Sequence, residues 1–269
     1  MIDWSASLNG LAVIAATAAL LWLTSLLKRD VSIVDSAWSL LFLLALLTYL
    51  ATSDTLGSRA LLVLALVTLW AVRLSVHITR RNHGNGEDRR YQAMRRNNDP
   101  GFAWKSLYLV FGLQGLLAWL IAMPLFAAAS GATPVGALDY AGLALWVTGM
   151  FFEVTGDWQL VRFKAQPANR GKVMDRGLWR YTRHPNYFGE CCLWWGYYLL
   201  AAAAGGWWTL LSPVLMTFLL LKVSGVALLE QDIGTRRPAY RDYVRRTNAF
   251  IPGLPRRTGE QRSQPEVRS

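Results

Sequence analysis

Three groups of residues in this 269-residue chain have the types and spacing to do chemistry. The densest is Gly177-Leu-Trp-Arg-Tyr-Thr-Arg-His-Pro-Asn-Tyr-Phe-Gly-Glu190. Pro185 suits the first turn of a helix, where no backbone donor is lost. A helix opening there turns its free amides and positive dipole end toward Arg180 and Arg183, an arrangement that binds phosphate. Asn186, Glu190 and Trp194 recur at i, i+4 and i+8, so they share one stripe of that helix. Two roles stay open for the stripe: contact with a ligand, or a buried polar pair that locks helix packing.

Glu153 and Asp157 form a second i, i+4 pair, near the end of the preceding helix. Carboxylates there oppose the macrodipole and need compensation, for which Arg162, Lys164 and Lys172 are nearest. Asp157 either joins that ion-pair network or accepts hydrogen bonds from a ribose or adenine. The third group is dispersed. Arg73 and His77 stand at i, i+4 at the end of one apolar run, where His77 is a packing residue or a catalyst. Asp35, in Ser-Ile-Val-Asp35-Ser-Ala-Trp38, sits near the start of another. An acid there complements the helix dipole, and it is also one of few groups able to polarise a carbonyl within the apolar region. No GxGxxG follows a strand, and no Walker loop, HExxH or zinc spacing exists, so no metal is expected. The adjacent Cys191 and Cys192 cannot staple each other without strain.

The elements that must position these groups are membrane helices. Hydrophobic residues make up 53% of the chain and charged ones only 17%. Roughly 20 consecutive apolar residues span the hydrocarbon layer, because a helix satisfies its own backbone there. Seven segments qualify, near 8–27, 33–51, 58–78, 106–129, 137–158, 186–204 and 207–229, with the fifth and sixth weakened by their carboxylates. The sequence thus predicts an all-α, polytopic membrane protein of about seven spans. Trp70, Trp119, Trp146, Trp194, Trp207 and Trp208 suit interfacial belts or a pocket lining.

Basic residues gather in alternate loops: Lys28–Arg29, Arg80 to Arg96, Arg162 to Arg183, and Arg236 to Arg246. The intervening loops carry one exception, Arg59. The positive-inside rule then predicts the N-terminus outside and the C-terminus in the cytoplasm. Residues 8–27 read as a retained helix, since no basic n-region or cleavage site accompanies them. The net charge of +11 is accounted for by this bias and by attraction to anionic lipid, so no nucleic-acid partner is expected. Residues 1–254 are expected to form a single membrane domain without internal repeat, and 255–269 a disordered tail. Residues 235–252 suggest a short basic helix closing on the inner face.

The Gly177–Glu190 run, with Phe-Glu-Val-Thr-Gly-Asp157 upstream and Tyr-Arg-Asp-Tyr243 followed by Phe-Ile-Pro252 downstream, resembles the steroid 5-alpha-reductase-like superfamily. Its bacterial branch, domain of unknown function 1295, is the best match, with Ser-Ile-Val-Asp35-Ser-Ala-Trp38 and Gly84-Asn-Gly-Glu-Asp88-Arg-Arg-Tyr91 also typical of it. The resemblance implies a multi-pass protein of the bacterial inner membrane. It implies a cytoplasm-facing cavity that holds NADPH and reduces a carbon–carbon double bond of a lipid-like or steroid-like substrate. By the same resemblance Asn186 and Glu190 contact the nicotinamide end, Asp157 the adenosine part, and Lys172 a phosphate. Arg180, Arg183, His184, Tyr187 and Tyr243 lie near the cofactor. The Gln-Glu pair and Tyr with which steroid reductases engage the enone oxygen are missing from the corresponding places. Asp35, His77 and Tyr91 are therefore the candidate proton donors. The alternative is an S-adenosylmethionine-dependent membrane methyltransferase of the isoprenylcysteine or phospholipid type, which shares the Arg-His-Pro-x-Tyr element.

Overall fold

The computed structural model describes residues 4–53, 56–131, 133–223 and 239–256. Helices dominate the described residues, with no strand among them beyond a single bridge between Thr182 and Asn248. We number them α1 (Trp4–Lys28), α2 (Ile33–Ala51), α3 (Ser58–Asn82), α4 (Arg89–Asn98), α5 (Phe102–Ala129), α6 (Ala137–Ala165), α7 (Pro185–Ala203), α8 (Trp207–Val223) and α9 (Ala239–Arg246). Five of them, α1, α2, α3, α5 and α6, are long and apolar enough to cross a membrane. The sixth expected span is the 19-residue α7, and the seventh is the shorter apolar α8, beyond which residues 224–229 lie outside the described residues. Of the basic stretch 235–252, Ala239–Arg246 is helical; the tail from 257 also lies outside the described residues.

The helices group into two compact units, one of residues 1–144 with 194–215, the other of 145–193 with 216–269. In the first unit, residues α2 buries include Phe42, Leu46 and Tyr49, and those of α3 include Val63, Val67 and Trp70. Trp70 and Trp194, read from sequence as interfacial or pocket residues, are fully buried in a perpendicular pair at 5.6 Å, flanked by Phe42 and Tyr197. Trp207 and Trp208 are exposed, as a belt requires.

Helix α5 is not one regular rod. It starts after Gly101 in the left-handed region (φ 97°), passes through a π-helical stretch at Leu107–Gly112, and restarts at Met123 with Pro124 in its first turn. Arg59, the basic exception, is buried beside Asp139 in the first turn of α6. Its Nε and Nη2 donate to the two carboxylate oxygens at 2.7 and 2.9 Å, and further bonds reach Thr133 and the Pro134 carbonyl. A paired arginine carries no net charge into that loop, which is why it escapes the bias seen elsewhere.

In the second unit α6 and α7 cross at glycines. A Cβ on Gly149 would stand 2.5 Å from the Gly189 carbonyl oxygen, and one on Gly156 would meet the Pro185 ring at 3.0 Å. Only residues without side chains permit this approach.

Candidate functional site

In the first unit a polar cluster forms where α4 meets the start of α2. Asp88 caps α4, its carboxylate accepting the Arg90 amide at 2.9 Å, and this sets α4 against the start of α2. Tyr91 is thereby buried in a hydrophobic cluster with Trp22, Val34, Phe102 and Phe111. Its hydroxyl donates to Asp35 Oδ1 at 2.7 Å and accepts from Gln114 Nε2 at 3.0 Å. Arg90 Nη2 reaches the other Asp35 oxygen at 2.7 Å. Asp35 thus accepts from two donors, the Tyr91 hydroxyl and the cationic Arg90. Burial pushes the Tyr91 phenol well above its ordinary value, and the Asp35 carboxylate adds to the rise. His77, half-buried on α3, is bonded to neither Asp35 nor Tyr91.

Alongside, Glu87 takes Arg95 through both its oxygens, at 2.7 and 3.0 Å, and the Val31 amide at 3.0 Å. Burial raises this carboxyl, but the Arg95 and Val31 hydrogen bonds outweigh it and hold Glu87 below the usual carboxylate range.

The second unit carries the larger group of sequence candidates. The helix opened by Pro185 begins there, as the sequence predicts. Asn186 Nδ2 donates to Asp157 Oδ1 at 3.1 Å, joining the two stripes that sequence spacing singled out. Glu153, Asp157, Arg183, His184 and Glu190 are all buried. The His184 ring stacks parallel to that of Tyr187 at 5.6 Å. Arg183 Nη1 donates to the Thr247 and Val244 carbonyls at 2.6 and 3.2 Å, so part of this guanidinium holds the end of α9 in place. Tyr243, buried with its phenol pushed up by that burial, donates to the Trp179 carbonyl at 2.5 Å. Its hydroxyl braces the turn that precedes α7. Lys172 and Arg180 are exposed on the surrounding loop.

Sequence reasoning passed over Gln114 and the glycines. Gln114 is a lone amide in the apolar run 107–129, itself a signal of an internal partner. Gly142, Gly149 and Gly156 recur every seven residues, as do Gly189 and Gly196, which marks one closely packed face on each helix.

No solved structure matches the chain at the significance of the sequence relatives. An uncharacterized protein of Schizosaccharomyces pombe is 29% identical over 204 residues, 65% of this chain and 58% of its own length. The steroid 5-alpha-reductase DET2 of Arabidopsis thaliana is 44% identical over 55 residues, 20% of each protein. This chain therefore spans less than two thirds of either relative. The family profile described as a protein of unknown function, DUF1295, matches residues 21–247, nearly the whole apolar part. The chain belongs to the DUF1295 family, and its similarity to DET2 is consistent with the steroid 5-alpha-reductase-like superfamily.

Proposed function

We propose that this protein is an NADPH-dependent oxidoreductase of the bacterial inner membrane, with about seven spans and its basic loops in the cytoplasm, that reduces a carbon–carbon double bond of a lipid-like or steroid-like substrate. The observation that carries the reading is the part-buried Asp157–Asn186 hydrogen bond at the N-terminus of α7, with the buried Glu190 one turn deeper. The polar groups suit a dinucleotide: the Asn186 amide at the start of α7, the accepting carboxylates of Asp157 and Glu190, and exposed Lys172 and Arg180 on the adjoining loop for phosphate. Similarity to a steroid 5-alpha-reductase supports reduction over methyl transfer.

Bound there, NADPH would supply a hydride. Asn186 and Glu190 would orient one end of it, Asp157, bonded to Asn186, would lie at that same end, and Lys172 would hold phosphate. Reduction of an activated alkene also needs one proton. Of the candidate proton donors, Tyr91 is the one whose hydroxyl is held by Asp35, which accepts from it.

The test is a titration of the purified full chain with NADPH, NADH and S-adenosylmethionine, followed by isothermal titration calorimetry. NADPH is expected to bind, and Asn186→Ala with Glu190→Gln to weaken it while the thermal transition is retained. Binding of S-adenosylmethionine in place of NADPH overturns the assignment.

A further inference from the structure

Two cavities of the first unit follow one another along the seam between α1 and α5. At the basic end of α1 a cavity of about 430 Å³ is walled by Ser25, Leu26, Arg29, Arg95, Ala103 and Ser106. Farther along, a slot of about 350 Å³ is bounded by Ala15, Ala19, Tyr108, Gly112, Gly115 and Leu116. From Ser25 to Ala19 the helix falls about 9 Å, and from Ala19 to Leu11, where the slot ends, about 12 Å more. The slot lies where small residues of α1 line it opposite Gly112, the last residue of the π-helical stretch of α5, and Gly115 just beyond it. Tyr108 and Leu116 on its rim are exposed, so it opens toward the bilayer.

The two cavities differ in charge. The slot is apolar apart from the Tyr108 hydroxyl, whereas Arg29 and Arg95 face the first cavity. Of the acids nearby, Glu87 is paired with Arg95 through Nε and Nη2, and Asp30, bonded to the Ser32 amide and hydroxyl, keeps its charge, against which stand Lys28, Arg29 and Arg95. Arg29 has no side-chain partner among the described residues and is held at a φ of 52°, a left-handed conformation that costs an arginine roughly 1 kcal/mol or more. Lys28 beside it adds a second exposed cation. A polar, cationic head pocket above an apolar slot open to lipid matches an amphiphile with a phosphate at one end.

We infer that the α1–α5 seam binds an anionic glycerophospholipid, its phosphate against Arg29 and Arg95 and one acyl chain in the slot. The inference is independent of the reductase reading. A zwitterionic lipid would bring a quaternary amine beside Lys28 and Arg29 and is disfavoured.

Native mass spectrometry of the full chain in detergent tests this, with phosphatidylglycerol and phosphatidylcholine of equal chain length as probes. Retention of phosphatidylglycerol is expected to exceed that of phosphatidylcholine about tenfold. Arg29→Glu, at an exposed and unpartnered position, should abolish the preference. Ala15→Phe, which fills the slot, should lower retention of both long-chain lipids, with helix content by circular dichroism confirming that each variant folds. Equal retention of the two lipids by the wild type overturns the site, as does an undiminished preference in Arg29→Glu. If millimolar inorganic phosphate displaces phosphatidylglycerol and dihexanoyl lipid binds as well as the long-chain form, the ligand is free phosphate and the lipid assignment fails.

Discussion

Removing the Asp139 carboxylate should be among the most destabilising single changes in the first unit. Both side chains of the Arg59–Asp139 pair are only 1% exposed. The carboxylate takes two guanidinium bonds at 2.7 and 2.9 Å and the Gly136 amide at 2.9 Å. In Asp139→Ala, Arg59 keeps its bonds to Thr133 and Pro134 but loses its buried counter-charge. Breaking a buried pair from one side costs roughly 3–5 kcal/mol. Replacing both partners by apolar residues, Arg59→Met with Asp139→Leu, removes the stranded charge. It should cost under about 2 kcal/mol, mostly for the carbonyls of Thr133 and Pro134 that lose a donor. The assay is unfolding in mixed micelles of increasing SDS fraction, followed by tryptophan fluorescence. An Asp139→Ala cost below about 1 kcal/mol, or a double variant as unstable as the single one, would refute the argument.

Four further outcomes are expected. Glu87 has its pKa depressed in the folded state, so its contribution is present above the unfolded value and lost as pH falls through the folded one. Glu87→Gln should therefore flatten the acid limb of stability against pH, and an unchanged acid limb counts against the Arg95 clamp. Gly149→Ala places a methyl 2.5 Å from the Gly189 oxygen and should cost about 1–3 kcal/mol by the same unfolding assay. Tyr91→Phe should lower turnover by roughly 10²–10⁴-fold with NADPH affinity kept, whereas Asp35→Asn should also displace the pH–rate profile; full activity in Tyr91→Phe moves the proton donor to His77. Lys172→Ala should weaken NADPH more than NADH, and equal loss for both removes it from the 2′-phosphate.

Apolar run length made α1, α2, α3, α5 and α6 legible, because a helix in hydrocarbon has no alternative way to satisfy its backbone. The ends ran longer than predicted: α3 continues to Asn82 and α6 to Ala165, each with basic residues in its last turn. Hydropathy sees the lipid boundary, while the helix continues into water where cations at its C-terminus stabilise it. The π-helical stretch of α5 was invisible, since register within a helix leaves no trace in composition. Pro185 placed the start of α7 correctly, and i, i+4 spacing brought out Asn186 and Asp157 before their contact was known. The Asp35–Tyr91–Gln114 chain was not legible as a unit. Its members lie 56 and 23 positions apart, and only the α4 cap and the packing of Phe102 and Phe111 bring them together.

The turn before α7 takes its partners from far along the chain. Tyr243 holds Trp179, Phe250 accepts from Thr182, and Gly253 donates to Tyr181. Residues 179–182 therefore wait some 64 to 72 positions of synthesis for these groups that fix them. During translation α6 and α7 can enter the membrane and meet at their glycines while this turn is still unbraced. The last part of this unit to mature is then the rim around Asn186. A ribosome stalled before residue 240 should yield an inserted, helical and protease-sensitive chain, and release beyond residue 253 should restore protection at Arg180.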